Sequence, residues 1–225
     1  GADILLSPAT NVGIGNTVPG SLLEISKVSG RASLELSSWS ATATAAHAGV
    51  LIFQKSGTAT LNTFTAGDHT TAGEVLGRIE AYGVDDGDGA TLSSYIEFAN
   101  DAISDADSSP GMIKFATSDA DDAGTPTVAM TIDDSQQVGI GTASPAETLH
   151  LHATNPMIRL NTTSGSGAAG INFTEGDAHR WSMGLKAGDD SFYIGEDAQY
   201  MYTNARLTIA GDSSGDVTVN TGDLI

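Results

Sequence analysis

The feature that most constrains this chain is a short stretch that occurs twice at a constant offset. Val12–Pro19 reads VGIGNTVP, and Val138–Pro145 reads VGIGTASP. The copies lie 126 positions apart, and so do the leucines that follow them, Leu23 and Leu149. A constant offset over a whole motif is the signature of an internal repeat. We therefore expect the chain to be built from similar modules.

The repeated stretch predicts two short strands joined by a sharp corner. Valine and isoleucine alternate with glycine, and a period of two residues is the period of a β-strand. Glycine allows another backbone to approach closely, and proline ends a hydrogen-bond ladder because it has no N–H. A second alternating segment follows, at Leu23–Ile25 and Leu149–Leu151. A dinucleotide-binding loop is the alternative for Gly-x-Gly, but its third glycine and its helix are missing. Six positions are assigned a structural role in the repeat: Gly13, Gly15, Pro19, Gly139, Gly141 and Pro145.

The remaining chain alternates apolar and polar residues over short segments bounded by Gly, Asp, Ser and Thr. Such segments are typical of half-buried strands. Outside the repeat, strands of this kind are predicted at 32–36, 75–82, 94–99, 112–116, 127–132, 157–160, 180–184, 192–195, 206–209 and 217–219, and the continuous apolar run at 49–53 predicts a buried strand. No window of a dozen residues has helical periodicity. The sequence therefore predicts an all-β protein.

The composition indicates a thin body rather than a thick globule. Aromatic residues make up only 6% of the chain, and 27 residues are glycine. Modules with short strands and a thin apolar face cannot bury enough surface alone. We therefore expect an elongated fibre of repeated short-strand β modules, in which partner chains cover the apolar faces and strand edges.

The charge of the chain excludes several classes of partner. There are 28 acidic and 9 basic residues, which gives a net charge of −19. Nucleic acids and anionic bilayers both attract lysine- and arginine-rich proteins.

No stretch reaches the roughly 20 apolar residues of a membrane-spanning helix. Because cysteine is absent, disulfides and thiolate metal sites are excluded. We expect no nucleic-acid partner, no membrane insertion and no cofactor.

The repeat and its surroundings resemble the GIGT-x-x-P repeats of bacteriophage tail fibres and related virion appendages. Three segments carry the resemblance: VGIGTASPAETLHL at 138–151, the preceding spacer that begins GEVLGRIEAYG at position 73, and LTIAGDSSGDVTVNTGDLI at 207–225. The resemblance implies an intertwined homotrimer in the virion tail, outside the cell. It further implies other phage tail proteins and a host surface receptor, glycan or protein, as partners.

The function that the resemblance implies is structural, a segment of a tail fibre that extends from the tail and supports host adsorption. A bacterial surface adhesin of similar repeat design and a polysaccharide-depolymerising tailspike are the alternatives. We divide the chain into residues 1–10, the end of a preceding module, residues 11–136, the first module, and residues 137–225, a truncated second module. Fibres of this family often end in a self-cleaving chaperone domain, which we do not recognise here, and we interpret the chain as a piece of a longer protein.

Receptor contacts are predicted on the insertions between repeat strands, where the two modules differ most. Tyr200 and Tyr202 lie in one such insertion and Trp39 in another. Exposed aromatic side chains on loops are common anchors for sugars and proteins. These three residues are the candidate receptor-binding residues.

Two other kinds of site are weighed against plain structural roles. His150 and His152 are spaced by two on one predicted strand, and imidazole is a ligand for iron, nickel or zinc. Twelve acidic residues between positions 85 and 134 could hold calcium, but their spacing fails the EF-hand pattern. No Gly-x-Ser-x-Gly elbow is present, and spacing alone shows no paired catalytic carboxylates. We assign no catalytic residue and expect no enzymatic activity.

Overall fold

The structure is a computed structural model of the chain. It describes residues 11–28, 31–38, 48–55, 69–87, 89–105, 107–120, 125–163, 167–176, 178–186, 188, 190–196, 205–211 and 214–219. All regular elements in these ranges are strands, so the predicted all-β class is confirmed. The strands are β1 (Val12–Ile14), β2 (Leu23–Ile25), β3 (Val75–Val84), β4 (Ala90–Asn100), β5 (Gly111–Thr117), β6 (Thr127–Ile132), β7 (Val138–Ile140), β8 (Leu149–Leu151), β9 (Ala169–Glu175), β10 (Ala178–Leu185), β11 (Phe192–Glu196), β12 (Ala205–Ile209) and β13 (Val217–Val219).

The described strands form two large sheets and one small one. In the first sheet, β3 to β7 form an antiparallel meander, and β8 is added parallel to β7. In the second sheet, β9 to β13 form an antiparallel meander of five strands. β1 and β2 form a parallel pair of their own. Each large sheet thus contains a five-stranded meander that ends on a three-residue strand.

The chain divides into two compact units, Gly1–His152 and Ala153–Ile225. The sequence repeat was divided at 136/137 instead. The difference arises because β7 hydrogen-bonds to β6, and β8 to β7, so both strands extend the sheet of the preceding module. In space, the repeat strands β7 and β8 are therefore the last strands of the first unit. In the sequence, the same motif marks the start of a module. The division into modules 1–10, 11–136 and 137–225 remains a prediction about the repeat.

Three of the predicted strands are not paired in this chain. Residues 32–36, 49–53 and 157–160 are described, but none of them belongs to a sheet. Their apolar side chains are exposed, as in Leu34 at 64%, Ile52 at 73% and Met157 at 85%. The prediction of half-buried or buried strands there is wrong for the single chain, because a strand also needs a neighbour to complete its hydrogen bonds.

Candidate self-association surface and repeat corner

One face of the first sheet carries most of its large apolar side chains. Because cross-strand partners share a face, the pairing registers place eleven large apolar side chains on the same side. We call this the first apolar face: Ile79, Ile96, Phe98, Ile113, Phe115, Met130, Ile132, Val138, Ile140, Leu149 and Leu151. None of these side chains is buried, and Ile79, Ile140 and Leu149 are about half exposed.

Most of the buried side chains of this sheet lie on its opposite, polar face, and the exception is Asn100 at the end of β4. Glu97, Ala99, Met112, Ala116 and Thr131 are each at most 8% exposed, and they alternate with residues of the apolar face. The usual order of a soluble sheet, apolar residues inside and polar residues outside, is therefore inverted. The inversion leaves the large apolar side chains of the first sheet in contact with water.

The second sheet repeats this arrangement. Its registers place a second set of large side chains on one side, which we call the second apolar face: Ile171, Phe173, Trp181, Met183, Leu185, Phe192, Ile194, Leu207, Ile209, Val217 and Val219. None is buried, and Trp181 is 41% exposed. The buried Ser182 and Tyr193 lie on the opposite face.

Two uncovered apolar faces are unstable in water as they stand. Stable domains bury a sheet face against a second layer. Within the described residues, only a small part of the first face has a cover: the Phe53 ring stacks on Phe98, 5.7 Å between centroids, above the Cα of Gly77. The ion pair between Lys55 Nζ and Glu74 Oε1, 2.6 Å, anchors this segment. A further layer has to come from outside the described chain.

The polar face of the first sheet carries a cross-strand charge network. Glu97 on β4 pairs with Arg78 on β3 and Lys114 on β5. Arg78 Nε donates to Glu97 Oε2 at 2.6 Å, and Lys114 Nζ donates to Oε1 at 3.0 Å. The Arg78 guanidinium also lies 4.4 Å from the centre of the Tyr95 ring. Burial raises the pKa of Glu97, but the hydrogen bonds from Arg78 and Lys114 outweigh burial and leave the pKa below its ordinary value.

The two copies of the repeat fold in the same way. In each, the Val-Gly-Ile strand pairs in parallel with the Leu-x-Leu or Leu-x-Ile strand that follows, in the register Val12–Leu23 and Val138–Leu149. Eight residues join the paired strands, fewer than the dozen or more usual for a parallel connection. Equivalent apolar positions have similar exposure, with Ile14 at 55% and Ile140 at 45%. Both isoleucines, which the repeat predicts to be buried alike, are therefore about half exposed in the single chain.

The glycines explain how so short a connection can cross back. A Cβ at Gly139 would lie 2.5 Å from the carbonyl oxygen of Thr142, because the connection passes directly over this residue. Gly141 has a φ of +76°, and a Cβ there would lie 2.2 Å from the carbonyl oxygen of His152. Gly13 and Gly15 meet the same obstacles in the first copy. Pro145 is buried under this corner and Pro19 is half-buried. The four glycines therefore have the close backbone approaches expected of a sharp corner.

The position of His150 in the corner is explained by its counterpart in the first copy. Glu24 Oε2 accepts a hydrogen bond from the Gly20 amide at 2.8 Å. His150 Nδ1 accepts one from the equivalent Ala146 amide at 3.2 Å. The hydrogen bonds from Gly20 and then Asn16 lower the pKa of Glu24. A carboxylate and an imidazole thus serve the same purpose, which is to hold the connection in place.

Exchanging these two side chains should distinguish this role from metal binding. Replacing His150 by Ala leaves the Ala146 amide without its acceptor and should cost about 1 kcal/mol of unfolding free energy. Replacing His150 by Glu, the residue of the first copy, should restore most of that loss. Thermal denaturation with and without added nickel is the measurement. If His150→Glu is as unstable as His150→Ala and nickel stabilises only the parent chain, the histidine is a metal ligand instead.

The remaining candidate residues are placed as follows. The rings of His150 and His152 approach edge to face, 6.0 Å between centroids. Among the described residues, no group of three or more His, Asp or Glu side chains is arranged to hold a metal ion, and the metal assignment stays a prediction. Trp39, Tyr200 and Tyr202 lie outside the described residues. The part of the chain that the structure describes contains no helix of the length and hydropathy that a bilayer span requires.

The charge network was missed by the sequence reasoning, although a signal was present. Arg78, Glu97 and Lys114 each stand beside isoleucine in three successive predicted strands, in the segments RIEAY, YIEFA and MIKFA. A charged residue flanked by large apolar residues in adjacent strands is placed on the face opposite to theirs. An antiparallel alignment with Ile79 opposite Ile96 and Ile96 opposite Phe115 would have indicated one cross-strand row of charges.

Comparison with known proteins gives matches among solved structures only. No protein-family model matches the chain, and no curated protein matches it. The chain is similar to the carboxy-terminal domain of the bacteriophage T5 L-shaped tail fibre, with 13% identity and a TM-score of 0.43, over 84% of this chain and 92% of that one. The same domain solved with its intramolecular chaperone domain matches with the same identity and TM-score, over 84% of this chain and 64% of that one. A likeness at this level carries no inference about the function of this chain.

Proposed function

We propose that this chain is a structural segment of a bacteriophage tail fibre, which extends from the virion tail and supports adsorption to the host. The observation that carries the proposal is that each meander leaves one apolar face partly exposed to water, with none of its large side chains buried. A repeated one-layer module is typical of a long body that gains its second layer by assembly. The VGIG-x-x-x-P repeats, which resemble those of tail fibres, support the same role.

The partner that best fits the apolar faces is two further copies of the chain. Cyclic assembly brings the same face of each copy to the axis, so identical apolar faces cover one another. The polar faces, with the Glu97 network, then remain outward. The number three follows from the resemblance to tail fibres. Other tail proteins would adjoin this segment along the fibre.

The proposed role involves no catalysis by this chain. The most buried carboxylate on the polar face of the first sheet is Glu97, at 3% exposure. Both of its oxygens are engaged by cations, and its lowered pKa keeps it ionised. A general acid needs a raised pKa and access to substrate. This carboxylate therefore supports the sheet and is unsuited to proton transfer.

Two experiments test the proposal. Gold-labelled antibody against the chain should mark the tail appendages of phage particles in negative-stain micrographs. Label on bacterial surfaces but not on particles would favour the adhesin alternative and refute the tail-fibre role. Particles that carry Tyr200→Ala and Tyr202→Ala together should then adsorb more slowly to host cells if those residues contact the receptor. Unchanged adsorption with intact fibres would limit this segment to the shaft.

A further inference from the structure

The second sheet ends on a third copy of the repeat strand. β6 and β7 pair in the register Ile132–Val138, Thr131–Gly139 and Met130–Ile140. β12 and β13 pair in the matching register Ile209–Val217, Thr208–Thr218 and Leu207–Val219. Both strands close an antiparallel meander of five, and both place two branched apolar residues on the apolar face. β13 therefore occupies in the second sheet the place that β7 occupies in the first.

In the first two copies, a parallel strand pairs with the outer edge of the repeat strand. In the second copy, Val138 N–H donates to Thr148 O and His152 N–H donates to Ile140 O, both at 2.9 Å. In the first copy, Val12 N–H donates to Leu22 O at 2.8 Å and Ser26 N–H donates to Ile14 O at 2.9 Å. The repeat strand thus binds a parallel strand on its outer edge wherever the neighbouring chain is described.

In β13 the same edge has no partner strand among the described residues. Ala210 N–H donates to Asp216 O at 2.9 Å, so Asp216 and, two residues on, Thr218 direct their backbone groups towards β12. By this alternation, Val217 and Val219 direct their N–H and C=O groups away from β12. β13 is the terminal strand of its sheet among the described residues, and both valines are more than 60% exposed. An unpaired edge of this kind is a template for a further strand.

A corner like that of the first two copies cannot fill the edge. Gly139 is replaced by Thr218 at the equivalent position. A Cβ at Gly139 would lie 2.5 Å from the carbonyl oxygen of Thr142 in the crossing connection. Thr218 carries that carbon. The strand that completes β13 therefore has to arrive by another route.

A segment with the required pattern is exposed in the same compact unit. Ile158-Arg159-Leu160 alternates like Leu149-His150-Leu151, and its two apolar side chains are 62% and 48% exposed. A Cβ at Gly167 would lie 2.7 Å from the Cβ of Thr162, so Thr162 lies close to the start of β9. β9 is the opposite edge of the sheet, four strand spacings or about 19 Å from β13. The segment of the same chain therefore ends near the edge opposite to β13.

We infer that the open edge of β13 binds residues 158–160 of a second copy of this chain as a parallel strand. This inference rests on the self-assembly in the proposed function and names the surface that carries it. The register of the first two copies pairs Val217 with Ile158, Thr218 with Arg159 and Val219 with Leu160. Val217 N–H then donates to the carbonyl of residue 157, and the amide of residue 161 donates to Val219 O.

This pairing agrees with the two faces of the sheet. Ile158 and Leu160 join the second apolar face beside the valines of β13, as Leu149 and Leu151 do beside β7. Arg159 falls on the polar face, at the place of His150. Because the edge and the segment belong to one compact unit, cyclic symmetry repeats the contact from copy to copy until the ring closes.

A cysteine pair tests the contact directly, because the chain contains no cysteine of its own. Neighbouring strands lie about 4.8 Å apart, within the Cα separation of about 4.4–6.8 Å that a disulfide accepts. The variant with Thr218→Cys and Arg159→Cys should migrate largely as a covalent trimer on non-reducing gels after mild oxidation. Each single variant should migrate as a monomer. A covalent dimer would support the edge contact and contradict the number three.

The matched control moves one cysteine to the other segment with this pattern. Leu34-Glu35-Leu36 is also exposed and unpaired, so Thr218→Cys with Glu35→Cys should remain monomeric on the same gel. Efficient linkage in this control instead would overturn the choice of partner segment. Monomeric bands from the first pair, while light scattering of the parent chain shows an assembly, would overturn the edge contact and leave self-assembly standing. A folded monomer by light scattering would refute both.

Discussion

Replacing Ile79 by aspartate is expected to turn the assembled protein into a monomer. Ile79 lies on the first apolar face and is 48% exposed in the single chain. In an assembly that covers this face, the new carboxylate would lose water without gaining a partner, at a cost of several kcal/mol in every copy. Light scattering should give three times 22.9 kDa for the parent chain and 22.9 kDa for the variant.

Val84 provides the matched control on the same strand. It belongs to β3 like Ile79, but the alternation of the strand places it on the polar face, and it is 85% exposed. Val84→Asp adds the same charge to a surface that stays in water, so its mass should equal that of the parent. If Ile79→Asp assembles as well as Val84→Asp, the first apolar face is not the surface that joins the copies.

The repeat and most of the strands could be predicted from the sequence because their signals are local. Period-two alternation predicted strand 127–132 with its observed bounds, and it predicted most of the residues of β3 and β5. The glycine spacing indicated a sharp corner, since only close backbone approach requires glycine at those positions. These features depend on residues that are neighbours in the chain, so one sequence is enough to read them.

The direction of pairing and the choice of the buried face could not be predicted in the same way. Alternation shows that a strand has two different faces, but not that a single chain leaves its apolar face in water. Leu34 and Met157 belong to segments that alternate as β4 does, and Ile52 to a continuous apolar run, yet these segments have no neighbouring strand among the described residues. Their pairing depends on groups outside the described chain, which the pattern of one chain does not contain.

The candidate metal ligands His150 and His152 also combine a feature that the sequence shows with one that depends on the fold. The sequence indicated histidines at 150 and 152 as metal ligands, but the contact of His150 with the Ala146 amide depends on the path of the connection in space. Comparison with Glu24 could have suggested this role, since an acceptor is the property that glutamate and neutral histidine share. The equivalent residue in a repeat therefore gives a sharper test of a candidate ligand than the residue type alone.

Replacing Glu97 by alanine should produce the largest loss of stability within one chain. The change leaves Arg78 and Lys114 side by side on the polar face without the carboxylate that both contact. Removing one partner of a buried ion pair costs about 3–5 kcal/mol. For a chain of this length the melting temperature should fall by about 6–20 °C. Glu175→Ala is the control: its pair with Arg180 is 3.0 Å long but largely exposed, and should cost at most about 1 kcal/mol.

The pH dependence of the same site separates charge from packing. Because the folded pKa of Glu97 lies below the ordinary value of 4.5, its ionised form stabilises the fold. This stabilisation is fully present above about pH 4.5 and is lost as the pH falls through the folded pKa. Glu97→Gln keeps the size of the side chain and removes the charge. The difference in melting temperature between parent and Glu97→Gln should therefore be largest near pH 7 and shrink in acid. A difference that stays constant down to pH 2 would show that the network stabilises the sheet by packing and neutral hydrogen bonds, and not by charge.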